Sequence, residues 1–328
     1  MTWLTLRQHR VQIAGMLAIA VLLAIALIVA AEYAARVRAE LGVDTCVPLQ
    51  NTNINCANLN MEWQKRVGPL TYLFYSLYVL PGLAASYVGG PLFAVEFERG
   101  THRLAWTQSI SRVRWAALKL GVVLLVALVA GSVLAPFGGR QSVFFTQYGN
   151  VPSPFDMFEI EGLALVSYFV FGIAAGALVG AWSRRLITGM FVGLLVFGLV
   201  RIGVHNLRPM YQEPATAPFP AGYPFEAATA VPQDAWRLGV KGFDLEGRPV
   251  PDERLNALVQ EYYRLSGGVS TRNINDTTYL LDHGVIRRLA YQPAERFWIF
   301  QAIEAAIFTG LAALFALLTL WRVRTRDA

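Results

Sequence analysis

The run Val11 to Ala31 contains no Asp, Glu, Lys or Arg, and at about 20 residues it has the length at which an α-helix crosses a bilayer. Five more apolar runs follow, about Pro69 to Val95, Ala116 to Pro136, Ile160 to Trp182, Leu186 to Leu207 and Phe297 to Trp321. A composition of 55% hydrophobic and 15% charged residues is too apolar for a soluble chain and suits a multi-span membrane protein. The expected fold class is therefore all-α integral membrane, with about six transmembrane helices. No small-x-small cleavage site clearly follows the first run, so it reads as a retained span and not a signal peptide. Met1 to Arg10 sets Trp3, Leu4 and Leu6 against Arg7, His9 and Arg10, the pattern of a segment lying along the membrane surface.

Three divisions follow: residues 1–207 with the first five spans, residues 208–296 as an extracytoplasmic domain, and residues 297–328 with the sixth span and a tail. Residues 208–290 are rich in Pro, Gly and charge and contain no spanning run; within them Pro251 to Leu265 reads as a helix with Leu255, Leu258, Val259 and Tyr262 on one face. Pro81-Gly82 and Gly89-Gly90-Pro91 interrupt the second span, and an interior proline removes a backbone hydrogen bond, so a kink or a local unwinding is expected. A hinge and an ordinary packing irregularity are both consistent with that. In the fourth span Gly172, Gly176 and Gly180 recur every four residues, placing three hydrogen-atom side chains on one helical face where another helix can approach closely. The spacing leaves open whether that helix belongs to this chain or to a second copy.

Sidedness follows from the basic residues. Placing the N-terminus in the cytoplasm puts Arg7, Arg10, Arg99, Arg103, Arg112, Arg114, Lys119, Arg184, Arg185, Arg322, Arg324 and Arg326 there as well, as the positive-inside bias requires. The formal charge of +6 then serves orientation, and nucleic-acid binding is not indicated. The same placement exposes Cys46 and Cys56 to the oxidising side. With no further ligands nearby for a metal, a short-loop disulfide fits better than two free thiols. The chain is expected in a bacterial plasma membrane with both termini inside.

The polar stretch Glu96 to Lys119 lies between two apolar runs. Its wording, Glu98-Arg99-Gly100-Thr101-His102-Arg103-Leu104-Ala105-Trp106-Thr107-Gln108-Ser109, resembles the first cytoplasmic loop of type-2 ABC exporter permeases, in a branch common in high-GC actinobacteria. Tyr291-Gln292-Pro293-Ala294-Glu295-Arg296-Phe297-Trp298 resembles the lead-in to the last span of the same branch. The resemblance implies a type V exporter arrangement, in which residues 96–115 form a coupling loop seated in a groove of a separate ATPase. It also implies two ATPase copies and a second permease copy, homodimeric or heterodimeric. Within the loop, Glu98 would cap the following helix, Gly100 would permit a sharp turn and Thr101 would serve as N-cap. Leu104 and Trp106 would bury in the ATPase groove, with Arg103, Arg112 and Arg114 on its acidic rim; the arginines alone would also serve orientation.

Enzyme signals are scarce. The chain has no His-Glu-x-x-His motif, no Gly-x-Ser-x-Gly elbow and no Walker loop, so no catalytic or metal site is assigned, and ATP and Mg are expected in the partner chain. Arg201 and Glu304 each sit about 10 Å below the outer end of their spans at 1.5 Å per residue. Similar depth and opposite sign suggest a buried pair, the alternative being that each snorkels separately. Two other functions remain open. One is a membrane-embedded transferase-type enzyme using Asp156 or Glu159. The other is a non-transporting anchor or sensor built on residues 208–290.

Overall fold

The computed structural model describes residue 7 and residues 9–43, 54–101, 111–145, 152–218, 231–265 and 275–325. The chain divides into two compact units. The first comprises Met1–Asn150, Met157–Arg208 and Trp298–Ala328; the second comprises Val151–Asp156 and Pro209–Phe297.

The first unit is a helical bundle. Its helices are α1 (Arg10–Leu41), α2 (Ile54–Val67), α3 (Thr71–Ala84), α4 (Pro91–Arg99), α5 (Arg112–Leu134), the short α6 (Ser142–Phe145), α7 (Gly162–Ser183) and α8 (Leu186–Leu207). The last helix of the chain, Phe297–Thr325, completes it. Among the described residues six stretches are long and apolar enough to cross a membrane: Arg10–Leu41, Asn58–Arg99, Arg112–Gln141, Pro154–Ser183, Leu186–Met210 and Ala294–Thr325. Their outward faces stay apolar, with Leu22, Ile25 and Val29 on α1 and Leu195, Leu199 and Ile202 on α8 exposed. In water such a surface would be a liability, whereas in lipid it is the required one. The chain is a multi-pass membrane protein.

Helix α1 shows how close the packing is. Its buried face runs Ala20, Ala24, Leu27, Ala30, Ala31, Ala34 and Val37, and small residues at this spacing let a neighbouring backbone approach. Gly42 ends the helix in the left-handed region at φ 62°, its N–H donating to the Arg38 carbonyl. At the centre of the bundle lies α7, with Tyr168, Phe171, Ile173, Ala174 and Ala177 fully buried.

The second unit contains strands that the sequence reading did not anticipate. They are β1 (Ala215–Pro218), β2 (Trp236–Asp244), β3 (Pro249–Val250) and β4 (Val285–Gln292), forming an antiparallel sheet in the order β1-β4-β2-β3. Pro218 and Pro249 fall on the two edge strands, where a missing N–H does no harm. Two helices, α9 (Asp252–Leu265) and α10 (Asn275–Asp282), precede β4. Leu255, Leu280, Val285 and Val250 close a small core, with Leu258 and Val259 packed on it. We number the final helix, Phe297–Thr325, α11.

Candidate functional site

The second span is wound in three pieces, and its prolines account for the winding. Pro81 lies inside α3, a π-helical turn occupies Ala85–Gly89, and Pro91 opens α4. The N–H of Gly90 bonds to the carbonyl of Ala85 at 2.9 Å, five residues back. In a continuous α-helix residue 91 would donate to the carbonyl of Tyr87, but proline has no N–H. The amide of Gln12 on α1 donates to that carbonyl instead, at 3.2 Å. Within a membrane an unpaired carbonyl is costly, so a side chain from a neighbouring helix supplies the missing donor.

Glycines seat this turn. A Cβ at Gly172 would stand 2.7 Å from the Pro81 carbonyl oxygen; one at Gly176 would overlap the Ala85 carbonyl oxygen and lie 2.7 Å from the Gly90 nitrogen; one at Gly180 would overlap the Gly90 carbonyl oxygen. From α8, a Cβ at Gly193 would lie 2.9 Å from the Gly176 Cα and one at Gly189 would lie 2.8 Å from the Gly90 oxygen. Three helices thus touch backbone to backbone around the π turn. The partner of the Gly172, Gly176 and Gly180 face lies within this chain.

Below the turn, α4 ends in two acidic side chains that point to different helices. Glu96 accepts from Lys119 of α5, and the pair is almost sealed, with side-chain exposures of 13% and 1%. The Lys119 ammonium also lies 5.0 Å from the Trp115 ring centre. Glu98 accepts from the backbone N–H of Leu186, at 2.8 Å, capping the N-terminus of α8. A carboxylate there meets both unpaired amides and the positive end of the helix dipole. The turn before α8 leans on α4 too, since the Arg184 guanidinium lies 5.6 Å from the Phe97 ring centre. Gly100 ends α4 at φ 70°, its N–H directed to the Phe97 carbonyl. A Cβ would be strained in that conformation.

At the other end of the bundle is a saturated ionic network. Arg208 makes a two-pronged contact with Glu304, at 2.9 and 2.8 Å, and reaches Glu159 at 3.1 Å. Glu159 also accepts from Arg201 at 2.7 Å and meets His205 at 2.6 Å. Tyr168 donates to Glu304, and Arg201 donates to the Tyr78 carbonyl. Arg201 lies over the Tyr168 ring at 4.8 Å, and Arg208 lies over Phe158 at 4.1 Å. Two carboxylates face two guanidiniums, so charge balances apart from His205, and each acid has several donors. Beside them the buried Gln301 bridges α11 to the start of α7, donating to the Phe158 carbonyl and accepting from the Ala164 N–H, both at 2.8 Å.

Residues 16–208, more than half of the chain, match the family described as ABC-2 membrane transporter related. The chain belongs to that family. No curated protein and no solved structure matches it. Members of the ABC-2 family are membrane components of transport systems, and the match covers the first five spans, stopping at Arg208, where the first unit gives way to the second.

The geometry of this ABC-2 chain corrects one sequence expectation. Arg201 and Glu304 are not each other's hydrogen-bonding partners: Arg201 bonds Glu159, and Glu304 bonds Arg208 and Tyr168. Both join one network through Glu159 and Arg208, but position along a helix says nothing of the direction a side chain takes around the axis. Glu98 caps α8, and the helix it was expected to cap, in residues 102–110, lies outside the described residues. Thr101 is an exposed turn residue and Arg114 is exposed, while Arg112 is half-buried near the N-cap Ser111, whose hydroxyl accepts from the Arg114 N–H at 3.4 Å. Arg103, Leu104 and Trp106 lie outside the described residues, as do Cys46 and the side chain of Cys56. Asp156, considered above as an enzymatic acid, accepts from the Ser153 N–H at 3.0 Å. Glu159 is engaged by Arg201, Arg208 and His205, an arrangement suited to bracing helices. Sequence reasoning missed Tyr168, His205, Arg208, Gln12 and the link from Lys119 to Glu96. The available signal was a polar residue inside or just beyond an apolar run, most plainly Lys119 between Leu118 and Leu120.

Proposed function

We propose that this chain is the permease subunit of an ATP-driven exporter with the type V arrangement, in which residues 96–115 receive the push of a separate ABC ATPase. The observation that carries the reading is the double fastening at the end of α4. Glu96 holds α5 and Glu98 holds α8, so force applied to the segment just beyond Gly100 reaches three spans at once. The π turn lies about 10 Å along the second span from Glu96 at 1.5 Å per residue, and such turns are weak points in a helix. Displacing the segment bends the span there while the glycine seat on α7 holds the upper half.

The working complex has two permease copies and two ATPase chains, with ATP and Mg bound by the ATPases. The chain lies in a bacterial plasma membrane, of the actinobacterial branch, with both termini cytoplasmic and the sheet-bearing unit outside. The substrate is hydrophobic or amphipathic and leaves through the cavity between permease copies. Co-purification with ATPases of the same cell tests this. Native protein should retain its partner ATPase, and Trp106→Ala should release it. Transport by the chain alone, without ATP, would refute the reading.

A further inference from the structure

His9 is the N-cap of α1, yet its side chain makes no capping bond to that helix. Its Nδ1 lies instead 2.8 Å from the Oε1 of Gln12. Gln12 stands at the third helical position, where a glutamine ordinarily reaches back to the N-cap amide. Here its Nε2 turns across to the π turn and donates to the Tyr87 carbonyl. That bond fixes the chemistry of the pair. A backbone carbonyl can only accept, so the NH2 end of Gln12 faces Tyr87 and its oxygen faces His9. An amide oxygen can only accept as well, so the His9 Nδ1 carries a proton and Nε2 is the bare nitrogen of a neutral ring. Nε2 is buried and meets no donor among the described residues. Burial, aided by the Lys119 ammonium, pushes the His9 ring below its ordinary pKa against the opposing pull of Gln12 and Glu96, so at neutral pH the ring is uncharged.

We infer that His9 is a positioning residue for the π turn: its Nδ1–H holds the Gln12 amide in the one orientation that supplies the N–H Pro91 lacks. Without that donor the amide is free to turn over, which would set its oxygen against the Tyr87 oxygen, two acceptors face to face. Glu96 and Lys119 act on the same ring, so the relay from His9 through Gln12 to Tyr87 starts beside the fastening of α4 to α5. The inference goes beyond the proposed function, because it holds whether or not the chain transports.

Two measurements on the full chain in detergent micelles test it. Nitrogen NMR of protein labelled in its histidine rings reports the tautomer, with the His9 signals assigned by their loss in His9→Asn. At neutral pH wild-type His9 should show a protonated Nδ1 and a bare Nε2; the opposite tautomer overturns the assignment. That readout comes from the wild-type ring and stands even where a variant misfolds. The second measurement is amide hydrogen exchange at Gly89 and Gly90, where the π turn closes on the Ala85 carbonyl. His9→Phe keeps a ring without a donor and should speed exchange there about fivefold, the scale of one hydrogen bond. His9→Asn puts an amide N–H where Nδ1 stood and should return the wild-type rate, but only with Gln12 in place. Gln12→Leu should exchange as fast as His9→Phe, and in that background neither change at His9 should alter the rate further. An unchanged rate in His9→Phe, or further acceleration by it in Gln12→Leu, overturns the inference. So does protection by His9→Asn in the Gln12→Leu background, which is what a plain helix cap would give.

Discussion

Gly176→Ala is the most direct probe of the hinge seat. The added methyl would overlap the Ala85 carbonyl oxygen and stand 2.7 Å from the Gly90 nitrogen and 3.0 Å from the Gly89 carbonyl carbon, where ordinary contact begins at 3.4 Å. All three atoms are backbone, so no side chain can swing aside and the π turn itself must shift. Overpacking of this kind costs about 1–3 kcal/mol. At an open helix position the same exchange is favourable by about 0.5–1 kcal/mol. Gly198 and Gly203 on α8 are open positions, where an added methyl would meet nothing within 4 Å. Stability should therefore separate Gly176→Ala from Gly198→Ala by about 1.5–4 kcal/mol. Reversible denaturant titration in detergent micelles, followed by tryptophan fluorescence, measures the gap. If the two variants unfold together, the three-helix glycine contact is not what holds the turn, and the account of the hinge fails.

Other consequences are as specific. Arg208→Met strands Glu304, and removing one member of a buried pair costs about 3–5 kcal/mol; Arg208→Met combined with Glu304→Leu should recover most of it in the same titration. Exchanging Arg201 and Glu304 for one another should give no rescue, since each keeps a different partner; recovery to wild-type stability would refute the network described. Glu98→Ala should cost about 0.5–2 kcal/mol as a lost cap and raise hydrogen exchange at the first amides of α8, with Glu98→Gln intermediate. Lys119→Met should leave Glu96 without its buried partner and destabilise the bundle, and the reversed pair Glu96→Lys with Lys119→Glu should restore part of the loss.

The spans were legible because hydrocarbon imposes a length and a composition that a chain cannot disguise. The glycine face was legible as a periodicity, and only its partner was missing, because a spacing describes one helix and a contact requires two. Of the ionic network only Arg201 and Glu304 were legible as intramembrane charges, and they were misread as a pair. Glu159 precedes α7 and Arg208 follows α8, so neither fell inside a run where an intramembrane charge attracts notice. The strands of the second unit left a signal of their own. Trp236 to Asp244 holds Trp236, Val240 and Phe243, Val285 to Gln292 holds Val285, Ile286 and Tyr291, and Leu245-Glu246-Gly247-Arg248-Pro249 is a turn sequence. That signal is short and sits in a stretch where proline and glycine dominate.

The Tyr87 carbonyl, bonded by Gln12 in place of a helical N–H, has a further consequence. If the π turn tightened to ordinary α winding, the one surplus residue would be absorbed, and everything beyond it would swivel about 100° and advance about 1.5 Å relative to the half above. Glu96 would then leave Lys119 and Glu98 would leave Leu186, while Gln12 would lose the oxygen it now reaches. The winding number of one turn and three separate polar contacts are thus locked to a common setting, like the tumblers of a single bolt.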